Sequence, residues 1–412
     1  MSELINNNAQ RQQKLKELIH KLHDGATVES VKEEFSQLTE GISPSEITEM
    51  EQALVDEGMP VEEIQGLCDV HASVFKGSIK DIHSDDTKPS LAYEKGHPIN
   101  TFMRENRAIE DLLDYEISNS LISYISSDSK ESKYLLIKEL EKLATIDYHY
   151  SRKENLLFPY MENYNITAPP QVMWGVDDEI RGKIKDVLIS LKEGEKSAAD
   201  IKESVFDVIR QVREMIFKEE EIMFPMVVDL LTNEEWSNIQ KSSADIGFTL
   251  INYIMESSNN VSEENPETTI TDYVSKDSQS KVAFDAGTLT AEEINSILNT
   301  VPLDMTFVGA DNRVKYFTQG KERTFDRPLT IIGREVKYCH PPKSVHLVEE
   351  IVEDLRSGKK EYEDFWIKMG EAFVYIRYFA VRNKQGAFLG VLEVTQNIKH
   401  ITELEGEKRL MS

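Results

Sequence analysis

The sequence predicts a multidomain protein with an all-α N-terminal domain, an all-α four-helix bundle and a C-terminal α+β domain built on a five-stranded antiparallel sheet. The 412 residues are enough for two to four domains. Helical patterns extend to about residue 255, and strand patterns follow a polar stretch that is poor in large apolar residues. We therefore expect a small helical domain at 1–90, a bundle at 91–255, a linker at 256–285, the α+β domain at 286–397 and a helical tail at 398–412.

Short amphipathic helices are predicted in residues 1–90. The run Ser43-Pro44-Ser45-Glu46 has the composition of a helix start, because serine caps the open amides, proline suits the first helical position and glutamate completes a capping box. A later helix carries Cys68 and His71 three residues apart, on one face. One cysteine and one histidine do not complete a zinc site. They either supply ligands to the bundle or form a buried thiol with a partner histidine.

Four helical stretches are predicted in the second region, at 98–126, 132–161, 177–191 and 198–231. The segment KENLLFP at 153–159 returns as EEEIMFP at 219–225, and ENRAI at 105–109 is matched by VDDEI at 176–180. Each half therefore resembles one helical hairpin, duplicated. The repeat predicts an approximate two-fold axis with equivalent residues facing each other across the bundle centre.

The third region alternates apolar residues around a turn at 310–312, which indicates a hairpin. A helix is expected at 344–357, followed by strands at 362–369, 371–381 and 388–395. This order predicts a five-stranded antiparallel sheet with its helix covering one face.

The charge of the chain limits its partners. Asp and Glu outnumber Lys and Arg by 74 to 47, a formal charge of −27, and such a surface repels nucleic acid and anionic membranes. Two cysteines far apart make no disulfide framework, so a reducing cytoplasm is expected. We read no signal peptide and no membrane anchor. The sequence also shows no partnered nucleophile and no phosphate-binding loop, which favours a role other than that of an enzyme.

The repeat superposes His149 and Lys153 on Met215 and Glu219, and each pair lies four residues apart on one helical face. Histidine and methionine facing each other are a usable axial ligand pair for haem iron. Alternatively, a single metal ion is held by acidic residues around His149. The candidate ligands of that ion are Glu219, Asp177, either Glu179 or Glu220, and Glu154. Glu154 lies five positions from His149, which suits a shared site only if the helix is distorted. Met215 as a core residue and His149 as a hydrogen-bonded core histidine are the alternatives without a cofactor.

Further candidate ligands lie outside this pair. His97 precedes a proline at a helix start, where it is either a capping residue or a ligand. Cys339, His340 and His346 are the soft ligands of the third region, and they either bind a metal or haem or pack beneath the helix. Cys339 near Lys337 and Lys343 is also a candidate redox thiolate.

The strings HYSRKENLLFP and MIFKEEEIMFP resemble the second and fourth helices of hemerythrin-like HHE domains over roughly residues 97–232. That resemblance implies a di-iron centre at six positions, of which only two keep a ligand of the same kind, His149 and Glu219. The six positions fall on Asn106, His149, Lys153, Asp177, Met215 and Glu219.

The third region, with RYFAVRNKQGAFLGVLEVTQNI, resembles a PAS domain, and the order of all three modules resembles a bacterial family of uncharacterised function. PAS domains imply sensing and dimer formation. We therefore expect a cytoplasmic sensory or stress-response protein that binds iron or haem in the bundle and signals to a protein partner as a PAS homodimer. The alternatives are a di-iron protein that handles oxygen or nitric oxide or repairs iron-sulfur clusters, and a PAS scaffold without a cofactor.

Overall fold

The computed structural model describes residues 96–251 except 128, 195 and 229, residues 281–407 except 322 and 326, and scattered residues between 13 and 59. Two compact units divide the chain near residue 256. Apart from the scattered positions, the predicted N-terminal domain with Cys68 and His71 lies outside the described residues, as does most of the predicted linker.

The described part of the first unit is helical, which confirms the expected class. Its helices are α1 (98–127), α2 (Lys130–Leu143), α3 (146–163), α4 (Ala168–Glu193), α5 (198–228) and α6 (Asn233–Ile246). A single break at residues 144–145 divides the predicted second stretch into α2 and α3. Helix α6 was not predicted as a separate element. No helix in the described ranges is long and apolar enough to span a bilayer.

Side chains cap the starts of these helices. Ser129, Ser197 and Thr232 each accept a hydrogen bond from the amide three residues on, in capping boxes that begin α2, α5 and α6. Helix α4 ends at Gly194, whose φ of 76° lies in the left-handed region that glycine adopts without strain. The polar residues at these starts therefore place the helix boundaries.

Two π-helical turns occupy equivalent positions of the sequence repeat. They span Lys153–Leu157 in α3 and Glu219–Met223 in α5, and each is followed by a proline, at 159 and 225. A proline within a helix removes one hydrogen bond and crowds the preceding turn, and a wider turn accommodates both effects. A further π-helical turn, Leu112–Ile117, lies in α1. The matching distortions support the duplication inferred from the sequence.

The second unit contains the expected five-stranded antiparallel sheet in the order β4-β3-β7-β6-β5, with one long helix after β4. Its elements are β1 (Lys281–Phe284), β2 (Gly287–Thr290), α7 (Ala291–Thr300), β3 (Asp304–Gly309), β4 (Val314–Phe317), α8 (Pro342–Ser357), β5 (Tyr362–Met369), β6 (Ala372–Arg382), β7 (Phe388–Asn397) and α9 (Lys399–Thr402). Apolar side chains of α8 pack on β7, where Val352, Leu355 and Val391 form a buried cluster.

Two boundaries differ from expectation. Residues 281–285, assigned to the linker, form strand β1 and the start of a hairpin turn. Val282 of β1 pairs with Leu289 of β2, and the turn between the two strands ends at a glycine, residue 287. Within the described part of the predicted tail helix, α9 is followed by residues 403–407, which are not helical. Gly406 has a φ of 68°, which does not continue an α-helix.

Gly390 allows the two central strands to approach each other. It pairs with Gly309 between β7 and β3, its φ is 153°, and a methyl group there would lie 2.1 Å from the carbonyl oxygen of Val308. We expect Gly390→Ala to lower the free energy of unfolding of this unit by about 2–4 kcal/mol, because backbone must move to admit the methyl group. Chemical denaturation followed by tryptophan fluorescence measures the loss.

Gly182→Ala is the matched control. Gly182 is exposed within α4 and has open space around its Cβ position. Alanine there should stabilise the first unit by about 0.5–1 kcal/mol through helix propensity. A neutral result for Gly390→Ala would contradict the close strand approach.

Candidate functional site

A row of three buried cationic side chains runs along α3. His149, Arg152 and Lys153 expose 1% or less of their surface, although lysine and arginine are rarely buried without partners. Spacings of three and four residues place them on one side of the helix, toward the bundle centre. Their partners come from the other helices.

Lys153 lies between carboxylates of two helices. Its Nζ donates to Oε1 of Glu219 on α5 at 2.5 Å and to Oδ1 of Asp177 on α4 at 3.0 Å. Burial lowers the pKa of Lys153, but the charges of Asp177 and Glu219 outweigh it and raise that pKa above its ordinary value. The side chain is therefore a fixed ammonium ion at the bundle centre.

His149 bridges two further carboxylates. Its Nε2 lies 3.1 Å from Oε2 of Glu219, and its Nδ1 lies 3.0 Å from Oε2 of Glu105 on α1. Two ionised carboxylates offer only acceptors, so both ring nitrogens must carry protons. Burial lowers the pKa of His149, but the charge of Glu219 and the hydrogen bond to Glu105 raise it overall. This geometry favours an imidazolium ion.

Arg152 completes the row. It forms a buried ion pair with Oε2 of Glu105, and its guanidinium lies 4.7 Å from the ring centroid of Phe102 and 4.5 Å from that of Phe248. The backbone amide of Thr249 donates to the other oxygen of Glu105 at 2.8 Å. The loop after α6 therefore closes over this pair.

Three buried cations thus face three buried carboxylates, each contributed by a different helix, and the set carries no net charge. Burial raises the pKa of Glu219, but Lys153 and His149 outweigh burial and lower that pKa to about 2. The pKa of Asp177 is raised by burial despite Lys153. We call these six side chains the central ion cluster: Glu105, His149, Arg152, Lys153, Asp177 and Glu219.

Two predicted metal ligands point to other partners. Both oxygens of Glu154 accept from the guanidinium of Arg181, at 2.7 and 2.9 Å, and burial raises the pKa of Glu154 to about 8. Glu220 pairs with Arg107 and accepts from Nδ2 of Asn106 at 3.2 Å, and burial raises its pKa to about 7. The helix is distorted at Glu154, as a shared site with His149 required, but the carboxylate is engaged by arginine.

The donor set does not fit the iron or haem expected from the sequence. The Lys153 ammonium lies between the carboxylates that would bind a metal ion, and a doubly protonated His149 has no lone pair to offer. Met215 belongs to the apolar core of the bundle. Within 96–251 and 281–407, no three His, Cys, Asp or Glu side chains are arranged to hold a metal ion.

His97 acts as a helix cap. Its Nδ1 accepts from the amide of Ile99 at 3.2 Å, at the start of α1, and its ring lies 4.7 Å from that of Trp236. Partial burial lowers the pKa of His97 to about 4. His97 was predicted to be either a capping residue or a ligand, and in the structure it caps the helix.

A small cavity lies in the second unit between α8 and the sheet. The volume within which the centre of a water molecule can be placed is about 30 Å³. Apolar side chains form most of its wall, and three polar side chains from separate segments converge on it, namely His340, Tyr378 and Glu393. The apolar lining consists of Val308, Val336, Val348, Ile351, Val352 and Val391.

The charges beside this cavity are paired. Arg327 donates to Oδ2 of Asp304 at 2.8 Å and to Oε1 of Glu393 at 2.7 Å. Burial, together with the positive charges of Arg327 and Arg334, lowers the pKa of His340 to about 4. Burial raises the pKa of Tyr378 well above its usual range. The imidazole is therefore neutral and the phenol protonated at neutral pH, so each offers both a donor and an acceptor.

The three predicted soft ligands do not converge. Cys339 packs partly buried against the apolar cluster of β3 and β4, with its Sγ 3.7 Å from the carbonyl oxygen of Glu335. His346 is exposed on α8. Only His340 reaches the cavity, because the extended residue at 340 separates two helical turns.

Sequence reasoning missed Glu105, Arg152 and Arg181 as site residues. The signal for Glu105 was its place beside Asn106 in the repeat segment ENRAI. For Arg152 it was a cation adjacent to Lys153, on the same face as His149 by its spacing of three.

Three family models match the chain. They are a family of unknown function (DUF438) over residues 15–81, the hemerythrin HHE cation binding domain over 97–227 and a PAS domain over 294–399. Hemerythrin HHE domains generally bind metal. No curated protein matches the chain significantly.

Solved structures match part of the chain. The C-terminal domain of a Streptococcus mutans protein is 38% identical, and the match covers 31% of this chain and 100% of that one, with a TM-score of 0.30. The PAS domain of a Colwellia psychrerythraea protein is 12% identical, covering 26% and 97%, with a TM-score of 0.22. A sensory box sensor histidine kinase from Vibrio cholerae is 9% identical, covering 25% and 87%, with a TM-score of 0.20.

The HHE and PAS matches support a sensory role, and their order after the N-terminal match agrees with the architecture expected from the sequence. The chain therefore combines a match to the family of unknown function (DUF438), a hemerythrin HHE domain and a C-terminal PAS domain, in the order expected from the sequence.

Proposed function

We propose that the chain is a cytoplasmic sensory protein whose PAS domain detects a small uncharged molecule and whose HHE bundle works without a metal ion. The observation that carries this proposal is the cavity at which His340, Tyr378 and Glu393 meet among apolar walls. A few polar groups convergent on an apolar pocket are typical of small-molecule sites.

The chemistry of the cavity limits the ligand. Its volume admits about two water molecules or an organic molecule of roughly four or five heavy atoms, so haem would require the domain to open. A neutral imidazole and a protonated phenol suit a ligand with one polar, uncharged end, while the valine and isoleucine walls suit an apolar remainder. Iron and haem are not part of this proposal, since the ion cluster leaves no free donor set for them.

The ligand's size also limits its affinity. The best small ligands gain about 1.5 kcal/mol per heavy atom, so four atoms give at most about 6 kcal/mol, or a Kd of tens of micromolar. Binding must therefore be sought at millimolar concentration.

We expect 1-propanol or propanamide at about 10 mM to raise the PAS unfolding midpoint by about 2–6 °C in the full chain. His340→Phe should abolish the rise, because phenylalanine lacks the ring nitrogens of His340 and fills part of the cavity. Differential scanning fluorimetry measures the unfolding midpoint.

His346→Phe is the matched control, since His346 is exposed on the adjacent helix, and it should leave the rise intact. If both probes leave the wild-type midpoint unchanged, or if His340→Phe retains the full rise, this cavity is not the sensory site.

We also propose that the PAS domain forms a homodimer and passes its signal to a protein partner. Helix α7 has no buried residue although Ile294, Ile297 and Leu298 share one face of it, and Trp366 on the edge strand β5 is 62% exposed. An amphipathic helix and an exposed aromatic sheet edge in one domain suit a second copy of that domain. When two copies pack against each other through this helix or this strand edge, the exposed apolar residues of both copies become buried.

Trp366→Glu should weaken the dimer at least 30-fold, because a central aromatic residue contributes about 2 kcal/mol or more to an interface. Sedimentation equilibrium of the full chain measures the change. Phe206→Glu, at an exposed aromatic residue of the bundle, is the control. A wild-type monomer at high micromolar concentration would contradict the proposal.

A further inference from the structure

Lys153 lies between carboxylates of two helices in the bundle core. Its ammonium contacts Asp177 of α4 and Glu219 of α5, and the second oxygen of Glu219 faces Nε2 of His149 at 3.1 Å. Lys153 and Glu219 are equivalent positions of the repeat, so the contact lies near the approximate two-fold axis. The lysine thus occupies the shared centre of the bundle.

The surroundings of Lys153 are specific. The side chain exposes 0% of its surface, and its Nζ lies 4.4 Å from the ring centroid of Tyr150. Oδ2 of Asp177 is buried without a hydrogen-bond partner. Lys153 therefore leaves one carboxylate oxygen at this centre without a donor, and that oxygen is available to a bound cation.

The donors around Lys153 also match a divalent ion. Oxygens of Asp177 and Glu219 lie 3.0 and 2.5 Å from its Nζ, and Nε2 of His149 lies 3.1 Å from the other oxygen of Glu219. One nitrogen with several carboxylate oxygens suits Zn²⁺, Mn²⁺ or Fe²⁺.

We propose that Lys153 is a built-in replacement for a metal ion, and that His149, Asp177 and Glu219 become arranged as a divalent-cation site only when its ammonium is removed. The proposal does not rest on the PAS cavity, so variants that bind no cation leave the proposed ligand site of the PAS domain untouched. Cation binding by the wild-type protein would also contradict a bundle that works without a metal ion. In the wild-type protein the bundle is held by its own ion cluster and does not need a cation.

The test is cation binding by the full chain with Lys153→Ala. In the presence of a chelator this variant should lose roughly 10 °C in its unfolding midpoint, since two buried carboxylates lose their counter-ion. Adding Mn²⁺ or Zn²⁺ should restore at least half of the loss, and calorimetry should find one cation per chain. The wild-type midpoint should not change with either metal or with the chelator.

Two further variants make the result specific. His149→Ala added to Lys153→Ala should abolish the metal-dependent recovery. Lys183→Ala is the matched control, because Lys183 forms a partly exposed pair with Asp207, and it should gain no binding. If Lys153→Ala does not fold even with metal, Lys153→Gln removes the positive charge and offers an amide oxygen as a ligand, so it should bind the cation.

Folded Lys153→Ala or Lys153→Gln protein that binds neither Mn²⁺ nor Zn²⁺ would overturn the proposal. So would wild-type protein that binds one cation per chain as tightly as the variant does.

Discussion

The first unit depends on the neutralisation of three buried carboxylates by three cations of one helix. Glu105, Asp177 and Glu219 come from α1, α4 and α5, and their partners lie on α3. Burying a charge without a partner costs several kcal/mol, whereas a fully paired set is tolerated. The cluster therefore fixes how α3 packs against the other helices. Replacing one member leaves the charge of another buried without a partner. The apolar core around it supplies the bulk of the stability.

The same rule organises the PAS unit on a smaller scale. Arg327 pairs with both Asp304 and Glu393, so the charged groups there are engaged with one another. His340 and Tyr378 are held uncharged beside them and face the cavity. A domain that pairs its charges and leaves neutral donors and acceptors at an apolar cavity is suited to an uncharged ligand.

Much of the fold followed from sequence patterns, and less of the site did. The helical pattern of 198–231 and the alternation in 362–369 placed helices and strands close to where they lie. The repeat predicted that His149 and Lys153 would face Met215 and Glu219 across the bundle. It did not predict the ion pairs of Lys153 with Asp177 and Glu219, because periodicity identifies a face of a helix and not the partner of a side chain. Strand β1 and helix α7 were missed because they bury little and their apolar pattern is short.

The protonation of His149 tests the central claim most directly, since its charge, unlike that of Lys153 or Arg152, depends on its surroundings. Nitrogen NMR of the full chain with labelled histidine, assigned by comparison with His149→Gln, distinguishes an imidazolium from a neutral ring. The ion cluster predicts that both ring nitrogens of His149 carry protons at neutral pH. A ring with one unprotonated or metal-bound nitrogen would contradict the account.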